Sequence, residues 1–210
     1  ADGNTYLLIS DNFDEARLNS GTVTLQEEEG FENLPVAFIF CFGAGTAITT
    51  AEGPRRVEAL QAGDLVRTAD GRDVPIVWIG RTELSARELD LNPMLRPITI
   101  TQGALGGGLP ERALQVSRQH RMLLGAGEGP EYFVPAIKLT TLPGVDLDAA
   151  GQSVTYYHLL TPNHEGILAE GARAETLFLG PFSWQALGAA NRAELAALGF
   201  TTETQGPRSR

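Results

Sequence analysis

Short apolar runs, broken every few residues by turn formers, constrain this chain more than any other feature of its sequence. Between Cys41 and Gly80 the breaks fall at Glu52-Gly53-Pro54, Gln61-Ala62-Gly63-Asp64 and Ala69-Asp70-Gly71-Arg72. Asp-Gly readily takes the positive φ that a tight hairpin demands, so Asp70-Gly71 between Leu65–Thr68 and Val74–Ile79 predicts a β-hairpin. Further strands are expected at 113–116, 121–124 and 132–134, along the alternating run Val154–Leu160, and at Gly166–Ala169. Residues 80–113, with Pro93, Pro97, Pro110 and Gly106-Gly107-Gly108, read as a long surface excursion carrying one strand at Ile98–Thr101. Only the end changes character. Ser183 before Trp184-Gln185-Ala186-Leu187, and the Ala/Leu/Glu-rich stretch 191–198, predict helices between Ser183 and Gly199. With no alternation of strand and helix, the expected class is mostly β with short C-terminal helices.

The remaining segments add less. Two β-type runs, Tyr6–Ile9 and Thr22–Leu25, lie in the first forty residues, and 201–210 reads as a frayed tail. The acidic stretches Asp11–Glu15 and Glu27–Glu32 read as a solvated face, and Trp78 and Trp184 as core or interface aromatics. The 210 residues suffice for one sizeable core with an extension. A net charge of −10 disfavours nucleic acid and anionic membranes as partners. No apolar run approaches the roughly 20 residues a bilayer span needs, so no membrane partner is expected. Ala1-Asp2-Gly3-Asn4 lacks the basic start of a signal peptide. One cysteine and three histidines leave no structural zinc set of usual spacing, and no metal or other cofactor is expected.

That one cysteine, Cys41, cannot form an intramolecular disulfide. It follows the apolar, strand-like run Pro35–Phe40, and Gly43 and Gly45 after it allow close backbone approach or a bulge. On the residue alone, a small buried hydrophobe is the common role of a free cysteine. Four segments in order point elsewhere. These are Cys41-Phe42-x-x-Gly45-Thr46-x-Ile48-x-Thr50; Val57-Glu58-x-Leu60-x-x-Gly63-Asp64-x-Val66, extended by Val77-Trp78-Ile79-Gly80; Ser117-x-x-His120; and Tyr157-His158-Leu159 followed by His164. From about Phe40 to Gly180 they resemble the Hedgehog/intein (Hint) family of self-processing domains, in its bacterial intein-like branch. The Ser117 block stands where the family has Thr-x-x-His. The resemblance implies a compact, horseshoe-shaped β fold with the first cysteine and the late block close in space. It divides the chain into a flanking segment 1–40, an autoprocessing domain 41–180, and a helical extension with its tail, 181–210.

The residue types fit one reaction. The Cys41 thiolate attacks the carbonyl of Phe40 through a five-membered ring, an N–S acyl shift that turns the Phe40–Cys41 amide into a thioester. Nucleophile and target are covalently adjacent, so effective molarity replaces a binding pocket. The amine must be protonated to leave, and the tetrahedral oxygen needs donors. By the resemblance, His120 protonates the Phe40–Cys41 nitrogen, Ser117 holds that amide or its oxyanion, His158 acts near the thiol as a base for Cys41 or in resolving the thioester, and His164 supports either site. Plainer roles stay open: core or surface histidines, a strand-end hydroxyl for Ser117, and a solvated turn for His164 within Pro162-Asn163-His164-Glu165.

One departure limits the analogy. Splicing inteins end in His-Asn before a Cys, Ser or Thr, and no such pair follows His164 here. Asn191, the only later asparagine, is followed by Arg192. The expectation is therefore cleavage without ligation. The substrate is the domain's own upstream chain, residues 1–40 being the tail of the released segment, and the acceptor is water, a thiol or an amine. Sterol transfer is disfavoured because Phe182–Phe200 is short. Domains of this kind often belong to exported or cell-surface bacterial proteins. Two other classes stand beside this one: a processing-inactive β spacer or interaction module, and a Cys-His hydrolase acting on other chains.

Overall fold

In the computed structural model, residues 40–125 and 131–201 are described. Among them, fourteen short strands form two sheets. In chain order the strands are β1 (Phe42–Gly43), β2 (Ala47–Thr50), β3 (Gly53–Arg56), β4 (Leu65–Arg67), β5 (Asp73–Pro75), β6 (Trp78–Leu84) and β7 (Ile98–Ile100). Then come β8 (Leu114–Val116), β9 (Arg121–Leu124), β10 (Tyr132–Pro135), β11 (Val145–Leu147), β12 (Val154–Leu160), β13 (Gly166–Ala169) and β14 (Ala172–Glu175). The helices are α1 (Ala86–Leu91), α2 (Pro181–Ala186) and α3 (Ala189–Ala197). One sheet runs β11-β7-β8-β1-β12-β6; the other runs β10-β9-β14-β13-β2-β4-β5, with β3 paired to β2. An isolated bridge from Thr68 to Ile167 ties the end of β4 back to β13, so the second sheet curls. The runs at 6–9 and 22–25, the acidic stretches at 11–15 and 27–32, and the tail 202–210 lie outside the described residues.

The Asp70-Gly71 hairpin is present, with Leu65 opposite Pro75 and Arg67 opposite Asp73. Its second arm is shorter than the sequence suggests. Ile76 donates back to the Asp64 carbonyl, whereas Val77 donates to the Leu160 carbonyl. Those two residues pass the chain from one sheet to the other. β6 then pairs with β12 over seven residues, from Trp78 opposite Leu160 to Leu84 opposite Val154.

The expected surface excursion at 80–113 is corrected at its start. β6 continues to Leu84, and α1 follows behind a capping box. The Ser85 hydroxyl accepts from the Glu88 amide, while the Glu88 carboxylate accepts from the Ser85 amide. Ile98–Ile100 is an interior strand, paired with both β8 and β11. Strand β14 is absent from the sequence reading because Ala-Arg-Ala-Glu has little strand preference. A two-residue turn at Glu170 (φ 47°) and Gly171 (φ 73°) folds it back on β13 instead. Gly45 (φ 85°) likewise belongs to a turn that carries the chain from β1 to β2, rather than to a bulge.

The buried side chains fall into two clusters. One fills the space between the sheets around Phe42, Ile48, Val66, Ile100, Met122 and Ile167. The other joins Phe40, Cys41, Trp78, Leu84, Tyr156 and Leu160 to Ala186 and Leu187 around α2 and Leu195 of α3. Burial of that second group gives the short C-terminal helices a hydrophobic reason to form.

Candidate active site

Strand β1 lies between β8 and β12, with Phe42 opposite Val116 on one side and Tyr157 on the other. Continued by one residue, the same register sets Cys41 level with Ser117 and His158. Cys41, His120 and His158 are all buried, and Ser117 nearly so.

The contacts converge on one peptide. Cys41 Sγ lies 3.1 Å from His158 Nδ1, which is 3.5 Å from the Phe40 carbonyl oxygen. The Cys41 amide donates to Ser117 Oγ at 3.1 Å. The Cys41 carbonyl accepts from the Ser117 amide and from His120 Nδ1, both at 3.0 Å. A carbonyl can only accept, so Nδ1 of His120 carries the proton. His120 therefore holds the peptide after Cys41, and Ser117, rather than His120, occupies the nitrogen of the Phe40–Cys41 bond. The His120 ring also packs on Phe42, 4.4 Å between centroids.

His164 stands apart from this group, and it is no solvated turn. It is buried between Phe133 and Phe178, with Nε2 2.9 Å from Glu175 Oε2. Glu175 Oε1 accepts from the Arg121 amide at 2.8 Å, and the Arg121 guanidinium lies 5.1 Å over the Phe40 ring. His164 thus reaches toward the junction through Glu175 and Arg121, neither of which the sequence singled out. Their separation along the chain left no local signal to find.

The Hint domain family model matches residues 40–181, the span that contains both sheets and every one of these contacts. The chain belongs to the Hint domain family. Solved structures similar to it are a bacterial intein-like domain from Clostridium thermocellum and a DnaB intein from Synechocystis sp. PCC 6803. The first is 18% identical over 64% of this chain and 96% of that one, with a TM-score of 0.47. The second is 10% identical over 65% and 98%, with a TM-score of 0.43. A gp41-1 intein is 11% identical over 64% and 97%, at a TM-score of 0.39. No curated protein matches the chain. Hint domains act on their own polypeptides, so autoprocessing is the general class of activity for this one.

Burial governs the electrostatics of the Hint site. It pushes both His120 and His158 down to about 4, so each imidazole is neutral at pH 7. It pushes the Cys41 thiol well above its ordinary value, against a smaller opposing hydrogen bond from Ser117. The resting pair is accordingly a thiol beside a neutral imidazole, not a thiolate–imidazolium pair. Among the described residues no cluster of His, Cys, Asp or Glu is arranged to hold a metal, and no helix is long and apolar enough to cross a membrane.

Gly80, the last residue of the Trp78-Ile79-Gly80 motif, earns its place sterically. A Cβ there would sit 2.0 Å from the Trp78 ring. Gly80→Ala is expected to destabilise the domain by about 1–3 kcal/mol, because the indole has to leave its place beside His158. Chemical denaturation checks this, and an unchanged midpoint would contradict it.

Proposed function

We propose that the domain cleaves its own Phe40–Cys41 bond through a thioester and releases the upstream segment without ligation. The observation that carries this reading is the 3.1 Å contact between Cys41 Sγ and His158 Nδ1, with the Phe40 carbonyl oxygen 3.5 Å from the same nitrogen. His158 takes the thiol proton on Nδ1, sulfur bonds to the Phe40 carbonyl carbon, and the new Nδ1–H faces the developing oxyanion. The C–N bond then breaks. The departing nitrogen takes the proton that His158 accepted from the thiol, and Ser117 Oγ, which accepts from the Cys41 N–H, holds that nitrogen in place. His120 steadies the Cys41 carbonyl while the preceding peptide changes geometry. Water, a thiol or an amine then attacks the thioester, freeing residues 1–40 and regenerating the Cys41 thiol. Asn191 lies within α3, with Arg192 after it in the same helix, which supports cleavage without splicing.

The seal around Cys41, 3% exposed, favours a second reading in one respect. A thiol that burial holds protonated would suit a processing-inactive module. Intact mass spectrometry with dithiothreitol or hydroxylamine separates the two. Autoprocessing predicts loss of residues 1–40 from the wild-type chain and no loss from Cys41→Ala. Equal fragmentation of both chains would eliminate the thioester route, and a wild-type chain that stays whole would favour the inactive module.

A further inference from the structure

The second nitrogen of His158, Nε2, lies 3.1 Å from the Thr82 hydroxyl oxygen. Trp78, Gly80 and Thr82 share one face of β6, by the two-residue period of a strand. The register sets His158 directly opposite Gly80. The Trp78 indole fills the space that Gly80 leaves and stacks beside the imidazole at 6.5 Å and 6°, while Thr82 reaches the ring's other nitrogen.

A neutral imidazole carries a single proton, on one nitrogen or the other. Nδ1 faces two groups with opposite demands: a thiol that can donate at 3.1 Å and a carbonyl that can only accept at 3.5 Å. With the proton on Nδ1, the ring serves the carbonyl and cannot receive the thiol's proton. With the proton on Nε2, the Nδ1 lone pair faces the S–H group, but the buried Nε2–H then needs an acceptor. A hydroxyl can donate as well as accept, so Thr82 alone permits either form. The shorter thiol contact selects the form protonated on Nε2.

We propose that Thr82 is a positioning residue for autoprocessing: its hydroxyl accepts the Nε2 proton of His158 and so keeps the Nδ1 lone pair aimed at Cys41. Once His158 has taken the thiol proton, the imidazolium has two N–H groups, and the same hydroxyl satisfies the one that faces away from the oxyanion. The inference rests on the reading in which His158 is the base for Cys41. It goes beyond that reading by naming the group that lets the ring hold its proton on Nε2.

Thr82→Val keeps the shape and removes the hydroxyl, whereas Thr82→Ser keeps the hydroxyl. Thr82→Ala repeats the removal with no demand on space if valine disturbs folding. In the uncleaved chain, before thiol is added, ¹⁵N shifts of the His158 ring are expected to report a protonated Nε2 and a bare Nδ1 for wild type and Thr82→Ser. Thr82→Val is expected to move the proton to Nδ1. Release of residues 1–40 under dithiothreitol should slow about tenfold to a hundredfold in Thr82→Val and recover in Thr82→Ser. Wild-type ring shifts in both Thr82→Val and Thr82→Ala would overturn the proposal, whatever the cleavage rate. Altered shifts in a chain whose wild type never releases residues 1–40 would sustain the role of Thr82 and overturn the processing reading instead.

Discussion

His158→Gln is expected to slow release of residues 1–40 by about 10²–10⁴-fold, the usual worth of a positioned acid–base group. Glutamine fills much of the same space and can still donate to the Phe40 carbonyl, but it cannot accept and return a proton. The loss should be large because the other two polar side chains at this peptide are already engaged. Ser117 Oγ is committed to the Cys41 amide, and Nδ1 of His120 to the Cys41 carbonyl. Burial also keeps the thiol protonated, so little thiolate exists without a base. Time courses by intact mass, at matched pH and thiol concentration, measure the effect. A variant as fast as wild type would remove His158 from the proton path.

Acid is expected to unfold the uncleaved domain well before its surface charges would do so. An unfolded histidine binds its proton near 6.5, whereas burial holds His120 and His158 at about 4 in the fold. The unfolded chain therefore binds more protons as the pH falls through this window, and stability falls with it. The contribution is fully present above about pH 6.5 and is lost progressively down to about pH 4. Both histidines together amount to about 4 kcal/mol at about pH 5, a large share of a typical domain's stability. Denaturant midpoints between pH 7 and pH 5 test this, and His158→Gln should remove about half of the slope. A midpoint independent of pH across that range would mean that both rings take up protons in the fold as they do in the unfolded chain.

The two expectations share a cause. The cluster that covers Cys41 with Trp78, Leu160 and the C-terminal helices, together with Phe42 of the other cluster against His120, keeps water from the thiol and both imidazoles. The burial that makes the histidines neutral, and so able to accept a proton, also makes them a liability in acid. His164 lies behind this group. Its proton-bearing edge meets Glu175, and Glu175 meets Arg121 beneath the Phe40 ring.

Much of this protein was legible in its residues alone. Turn formers at fixed intervals, the alternation along Val154–Leu160 and the Ala/Leu-rich end determined a mostly β fold with terminal helices, because backbone preference and periodicity act over a few residues. The blocks at Cys41, Ser117–His120 and His158 marked the junction by residue type. Strand pairing decided the rest, since it joins residues the chain holds far apart. Only the register of β1 between β8 and β12 put Ser117 on the amide, His120 on the next carbonyl and His158 on the thiol. Only the pairing of β6 with β12 brought Thr82 to the far nitrogen of that ring. A hydrogen bond is set by positions in space to within a few tenths of an ångström, and no local pattern of residues carries that information.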